Sequence, residues 1–122
     1  MRGKAWMAGL VLASAMSLVM PPAGAAVNAE VAGPGAWLAG YAQTTIRVRA
    51  TEPLMFANLD PTASHNLVSV SFDGNGRHLF STPLIGAGRT ADVSGVAALA
   101  PGRYEFFCVP HSSSMTGILI VE

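Results

Sequence analysis

The chain has 122 residues, and its seven basic and seven acidic side chains leave no net charge at pH 7. That length suits one domain with a single hydrophobic core and leaves no room for a separate substrate domain. The lack of a basic excess argues against nucleic acid as a partner. The only cysteine, Cys108, cannot form an internal disulfide. An exported form of the chain would therefore have to keep this thiol buried or occupied.

The beginning of the chain has the pattern of a secretory signal peptide over residues 1–25. Two basic residues precede an apolar run from residue 5 to residue 20, and small residues suited to signal peptidase end at Ala25. The apolar run is shorter than the roughly 20 residues of a membrane-spanning helix. We therefore expect cleavage and export, with a retained membrane anchor as the alternative. The mature protein, residues 26–122, would keep seven acidic and five basic residues and carry a net charge of −2.

The first half of the mature chain contains short β-type runs separated by turn sequences. The glycine-rich segment 31–41 has no clear periodicity, and we expect an edge strand there. Residues 44–49 and 54–58 are predicted strands, the first with apolar and arginine side chains on opposite faces. Residues 66–72 alternate in the same way and lead into 73–76, whose Asp-Gly-Asn-Gly sequence is a strong turn signal.

The second half continues this pattern to the end of the chain. Residues 90–93, 103–108 and 116–121 are predicted strands, and the last is rich in β-branched side chains. About seven to eight short strands with frequent turns predict an all-β fold, either an antiparallel Greek-key β-sandwich or a small barrel. We expect residues 26–122 to form this single domain.

The segment 108–115 carries the most informative side chains of the sequence. It places Cys108, His111 and Met115 in one loop between two predicted strands. A second imidazole, that of His65, lies where a turn runs into a strand, and turns at one end of a sandwich lie close together. Two histidines, one cysteine and a weak axial methionine form the ligand set of blue-copper sites.

Three other interpretations of this cluster fit the sequence less well. Zinc is the main rival metal, but structural zinc sites want four strong ligands and the thioether of Met115 is a poor fourth. A Cys108–His111 nucleophile would need an oxyanion donor and an orienting carboxylate, and the sequence indicates neither. An inert buried thiol is the usual state of a lone cysteine, but it leaves the spacing of the two nearby donors unexplained.

Four stretches of the chain resemble the plastocyanin/pseudoazurin branch of the cupredoxins, the blue copper proteins. They are residues 54–60, 65–66, 101–111 and 115–117, and the resemblance as a whole covers residues 44–122. It implies a cupredoxin-type β-sandwich that binds one type 1 copper ion.

The resemblance also implies roles for individual residues. In that family the histidine of the His-Asn pair and the cysteine, histidine and methionine of the loop bind copper. These ligands correspond here to His65, Cys108, His111 and Met115, and the family's asparagine that ties the two ligand loops together corresponds to Asn66.

Some positions differ from the family's usual residues, and two other side chains with metal-binding chemistry are not expected to be ligands. Many relatives have a serine or threonine after the cysteine that bonds to the asparagine, and Val109 has no hydroxyl to form that link. Phe107 stands where some plastocyanins use a tyrosine. We expect His78 to be solvent exposed and Met55 to face out of a strand or fill a gap, without binding metal.

Together these features predict a monomeric electron carrier of the periplasm or the cell exterior. It would shuttle single electrons between a redox donor and an acceptor by Cu(II)/Cu(I) cycling. It would not be an enzyme and would have no stable membrane insertion after cleavage. The alternative function is a periplasmic copper-binding protein for copper storage, delivery or resistance. Such proteins often use several exposed methionines, whereas residues 26–122 contain only Met55 and Met115.

Overall fold

The computed structural model describes residues 28–122, so the predicted signal peptide lies outside the described residues. Each strand ends at or near a turn sequence, as the alternation of apolar runs and turns predicts. The elements in chain order are β1 (Asn28–Ala32), α1 (Ala36–Ala39), β2 (Thr45–Val48), β3 (Leu54–Asn58), β4 (Val68–Ser69), β5 (Arg89–Asp92), β6 (Gly102–Phe107) and β7 (Thr116–Val121), with 3₁₀ turns at Val96–Ala98 and Val109–His111.

The strands form a three-stranded sheet in the order β1-β3-β5 and a four-stranded sheet in the order β2-β7-β6-β4. The predicted all-β sandwich is confirmed, with about the predicted number of strands. The expected antiparallel pairing is found for β3-β5, β4-β6 and β6-β7 but does not hold throughout, because β1 pairs with β3 and β2 pairs with β7 in parallel. Parallel neighbours need a crossover connection. The crossover between β1 and β3 passes through the other sheet, where the chain forms β2.

Aromatic side chains between the sheets form the centre of the core. The ring of Tyr41 packs edge-on against Phe56 at 6.0 Å and against Phe106 at 5.2 Å, measured between ring centroids. Phe56 belongs to β3 and Phe106 to β6, so these contacts join the two sheets. Each buried phenylalanine contributes roughly 1.5–3 kcal/mol to folding through the hydrophobic effect.

The hairpin of β6 and β7 holds both ends of the segment 108–115. Phe107 is the register partner of Thr116, and Phe106 is the partner of Gly117. A Cβ atom on Gly117 would lie only 2.4 Å from the Phe106 ring. Glycine at this position therefore lets the Phe106 ring lie against the backbone of β7, two residues beyond the end of the loop.

Two sequence predictions differ from the structure in extent. The segment 31–41 is an edge strand only at its start, where it overlaps β1. A Gly-Pro-Gly sequence then ends the strand, and Gly35 adopts a φ of 76° before the short helix α1. Of the predicted strand 66–72, only β4 pairs in a ladder with β6. The side chain of Ser69 donates a hydrogen bond to the Ser71 carbonyl beyond β4, where the ladder stops.

Within residues 28–122, no helix is both long enough and apolar enough to span a membrane.

Candidate metal centre

Three predicted ligands converge at one end of the sandwich. The Sγ atom of Cys108 lies 3.7 Å from Nδ1 of His65 and 3.5 Å from Nδ1 of His111. The candidate ligand atoms of these three residues all lie within 4.8 Å of one another. Both imidazoles therefore present the same ring nitrogen towards the sulfur, although His65 is 43 positions away from Cys108 along the chain.

Backbone hydrogen bonds shape the loop that carries Cys108, His111 and Met115. The N–H of Cys108 donates to the carbonyl of Met115 at 3.0 Å, which closes the loop at its base. The N–H of Met115 in turn donates to the carbonyl of His111 at 2.9 Å, across the residues that follow the 3₁₀ turn. Met115 is fully buried at the start of β7. The fold thus brings the predicted thioether residue to the base of the same loop.

His65 is positioned by a separate part of the chain. Its backbone N–H and carbonyl pair with the carbonyl and N–H of Ile85 at 3.2 and 3.0 Å. The side-chain amide of Asn58, at the end of β3, donates to the carbonyls of Ala63 and Ile85 at 2.9 Å each. The loop between β3 and His65 is thereby fixed at both ends, and the imidazole is fully buried.

A buried carboxylate lies behind the His65 ring. Oδ2 of Asp60 is 2.7 Å from Nε2 of His65, and neither side chain is exposed to solvent. Oδ1 of Asp60 accepts hydrogen bonds from the hydroxyl and the backbone N–H of Thr62. The bonds from Thr62 and His65 hold the pKa of Asp60 well below its usual range. In the sequence, Asp60 is followed by Pro-Thr and fits a turn, and its place in a loop shortly before a candidate ligand is the signal that could have found it.

Asn66 links the two ligand-bearing segments. Its side-chain Oδ1 accepts a hydrogen bond from the backbone N–H of Val109 at 2.8 Å. Val109 offers no side-chain hydroxyl, as expected, but the two segments are linked all the same, because the donor here is the peptide N–H. The backbone carbonyl of Asn66 accepts a 2.6 Å hydrogen bond from the hydroxyl of Tyr41. Tyr41 has no distinguishing pattern in the sequence, but its ring belongs to the core and its hydroxyl reaches the site.

The site is buried except at His111. His65, Cys108 and Met115 have no solvent-exposed surface, whereas His111 is half-buried and its neighbour Val109 is 51% exposed. Burial raises the pKa of the Cys108 thiol, although backbone hydrogen bonds from Asn66 and His111 oppose the shift. The free thiol therefore holds its proton and must release it when it binds a metal.

Two residues considered in the sequence lie outside this cluster. His78 is half-buried, with Nδ1 2.6 Å from the carbonyl of Ser69 and its ring 4.6 Å from that of Phe72. The prediction that His78 is solvent exposed is therefore wrong, because the turn after Phe72 folds His78 back onto that ring. Met55 is half-buried on β3.

The chemistry of this donor set fits copper better than zinc. A thiolate and two imidazoles suit copper. Structural zinc sites use four strong nitrogen, sulfur or oxygen ligands, whereas only three histidine, cysteine or acidic side chains converge here within residues 28–122.

Comparisons with known proteins agree with the fold and with this chemistry. Residues 27–122 match the family model described as copper binding proteins of the plastocyanin/azurin family. No curated protein sequence matches the chain.

Solved structures with the same fold include a purple cupredoxin from Nitrosopumilus maritimus, which is 20% identical with a TM-score of 0.62 over 78% of this chain and 99% of that one. A dithionite-reduced auracyanin from the photosynthetic bacterium Roseiflexus castenholzii is 18% identical, with a TM-score of 0.64 over 79% of this chain and 96% of that one. A Cu(I) amicyanin variant is 16% identical, with a TM-score of 0.62 over 87% and 88% of the two chains.

Proposed function

The chain belongs to the plastocyanin/azurin family of copper-binding proteins, and we propose that it is a small exported type 1 copper protein that passes single electrons between redox partners. The observation that carries this proposal is the convergence of Cys108 with His65 and His111 at a buried site that reaches the surface at one imidazole. Copper supplies the Cu(II)/Cu(I) couple when it is bound.

We assign four residues as the ligands. His65, Cys108 and His111 would hold copper as the strong ligands, through the two Nδ1 atoms and the thiolate sulfur, and the thioether of Met115 would be the weak fourth ligand. The hydrogen bonds within the loop and those between His65 and Ile85 hold the donor groups in place before metal binds. A site held by its own backbone reorganises little when the charge of the metal changes, which favours fast electron transfer.

Electrons enter and leave through the His111 side of the site. His111 is the only one of the four proposed ligands with solvent-exposed surface. Exposed apolar side chains of Val109 and of Trp37 on α1 lie nearby, and Ser114 in the loop donates a hydrogen bond to the Trp37 carbonyl. A redox protein that contacts this apolar end would come close to the imidazole without displacing a ligand.

The proposed function includes no bond chemistry on a substrate and requires export. Residues 1–25 would serve as the signal peptide and residues 26–122 as the mature domain of the periplasm or cell exterior. Mass spectrometry of the exported protein should find an N-terminus at or near Ala26. An intact Met1 on a membrane-bound form would instead support the retained anchor.

Repeated redox cycling separates an electron carrier from a protein that stores or delivers copper. The copper-loaded protein would be reduced with ascorbate and reoxidised with ferricyanide many times in the presence of a Cu(I) chelator. A carrier retains its copper through the cycles and recovers its visible absorption each time. Progressive transfer of Cu(I) to the chelator would support storage or delivery instead.

A further inference from the structure

Both oxygens of the Asp60 carboxylate have hydrogen-bond partners. Oδ1 is occupied by two hydrogen bonds from Thr62, and Oδ2 faces Nε2 of His65 at 2.7 Å. The N–H of Asp60 donates to Oδ1 of Asn58, which orients the backbone at the same point. Asp60 therefore has little freedom to move away from the His65 ring.

This contact determines which ring nitrogen of His65 is free to bind metal. An ionised carboxylate only accepts hydrogen bonds, so Nε2 of His65 must carry a hydrogen and donate it to Oδ2. In the neutral ring the lone pair then lies on Nδ1, the atom that faces Sγ of Cys108 at 3.7 Å. Carboxylates that orient a histidine ligand in this way also make it a stronger donor.

The same carboxylate places a negative charge beside the site. No arginine lies within ion-pair distance of Asp60 in the part of the chain that the structure describes, and His65 is its only ion-pair partner there. Charges interact more strongly in a buried environment than in water. A negative charge at this place therefore stabilises a doubly charged metal ion more than a singly charged one.

We propose that Asp60 is a positioning residue that fixes the metal-binding tautomer of His65 and lowers the reduction potential of the centre. This inference rests on the proposed function, because it requires His65 to bind copper. It assigns a role to a residue outside the ligand set.

The variant Asp60→Asn removes the negative charge with little change in shape and so tests the part of the inference that concerns the reduction potential. Its affinity for Cu(II) should fall by about 10- to 100-fold, and its affinity for Cu(I) should fall less. Each factor of ten between the two losses raises the potential of a one-electron couple by about 59 mV. Asp73→Asn is the matched control. Asp73 also accepts hydrogen bonds from the backbone of its own turn, those of Asn75 and Arg77, but has no contact with His65.

A measurement on the metal-free wild-type protein is independent of both variants and of copper binding. Nitrogen-15 NMR of the imidazoles should find a hydrogen on Nε2 of His65, and an unprotonated Nε2 would overturn the inference even if Asp60→Asn fails to fold. An unchanged potential in a folded Asp60→Asn protein would overturn it as well, as would an equal shift in Asp73→Asn. These outcomes leave the proposed function intact, because that function is tested separately, by the blue-copper spectrum of the wild-type protein and by its retention of copper through redox cycling.

Discussion

The side-chain oxygen of Asn66 accepts a 2.8 Å hydrogen bond from the backbone N–H of Val109. This single hydrogen bond joins the residue after His65 to the residue after Cys108. Both ligand-bearing segments are thereby tied together without any contribution from the side chain at position 109. A substitution of Asn66 removes this hydrogen bond, whereas a substitution of Val109 retains it.

We therefore expect Asn66→Ala to destabilise the metal-free protein by about 1 kcal/mol, because the Val109 N–H loses its partner. Val109→Ala is the matched control and should change the free energy of unfolding much less, since its backbone N–H is retained and its side chain is largely exposed. Chemical denaturation of the three proteins measures the difference. Equal losses in the two variants would show that the hydrogen bond is not the stabilising contact.

Substitutions of Met115 should move the reduction potential in opposite directions. Glutamine offers a harder oxygen donor that favours Cu(II), so Met115→Gln should lower the potential. Leucine removes the axial donor and should raise it. Met55→Leu on β3 is the control and should leave the potential almost unchanged. Redox titration of the three variants compares them, and a shift in Met55→Leu without one in Met115→Leu would contradict the axial assignment.

Glu30 should make the stability of the fold depend on pH. Burial raises the pKa of Glu30 from 4.5 to about 7, although hydrogen bonds from the backbone of Val31 and Gln43 oppose the shift. Its Oε2 atom has no hydrogen-bond partner in the part of the chain that the structure describes. Because the folded state binds this proton more tightly than the unfolded state, the stabilisation is complete below pH 4.5 and is lost as the pH rises through 7.

We expect the free energy of unfolding to fall by at most about 3 kcal/mol between pH 5 and pH 8 from this group. Glu30→Gln has no such titration, so its stability should vary less over the same window. Denaturation at a series of pH values compares the two proteins. Parallel pH profiles would mean that Glu30 is not the group responsible.

An added charge at the exposed end of the site should slow electron exchange. Val109→Asp places a carboxylate beside His111, where two protein molecules must approach each other to exchange an electron. Val70→Asp is the matched control, because Val70 has a similar exposure of 46% but lies beside Glu105 on β6. NMR line broadening in mixtures of oxidised and reduced protein measures the self-exchange rate. An equal slowing in both variants would indicate a general charge effect and no preferred exit at His111.

The proposed ligands could be predicted from sequence because three of them share one loop. The spacing of Cys108, His111 and Met115 between two strand-like runs is a local pattern, and His65 follows a recognisable turn. Asp60 could not be assigned in the same way. An aspartate followed by Pro-Thr satisfies the chemistry of a turn, and only the packing of the loop against the His65 ring reveals its second role.

The strand pairing was harder to predict than the strands themselves. Apolar alternation indicates where β2, β3, β6 and β7 lie, but the direction of a neighbouring strand depends on how the chain crosses between the sheets. Tyr41 was missed for a related reason. It follows a glycine-rich segment without periodicity, and its role comes from contacts with Phe56 and Asn66, which are distant in the chain.

The visible absorption spectrum of the Cu(II)-loaded protein tests the central claim most directly. A thiolate ligand at Cys108 predicts an intense blue or green colour from charge transfer between sulfur and Cu(II), and Cys108→Ser should abolish it. A wild-type protein that binds Cu(II) with only faint d–d bands would contradict the assignment of a type 1 copper centre.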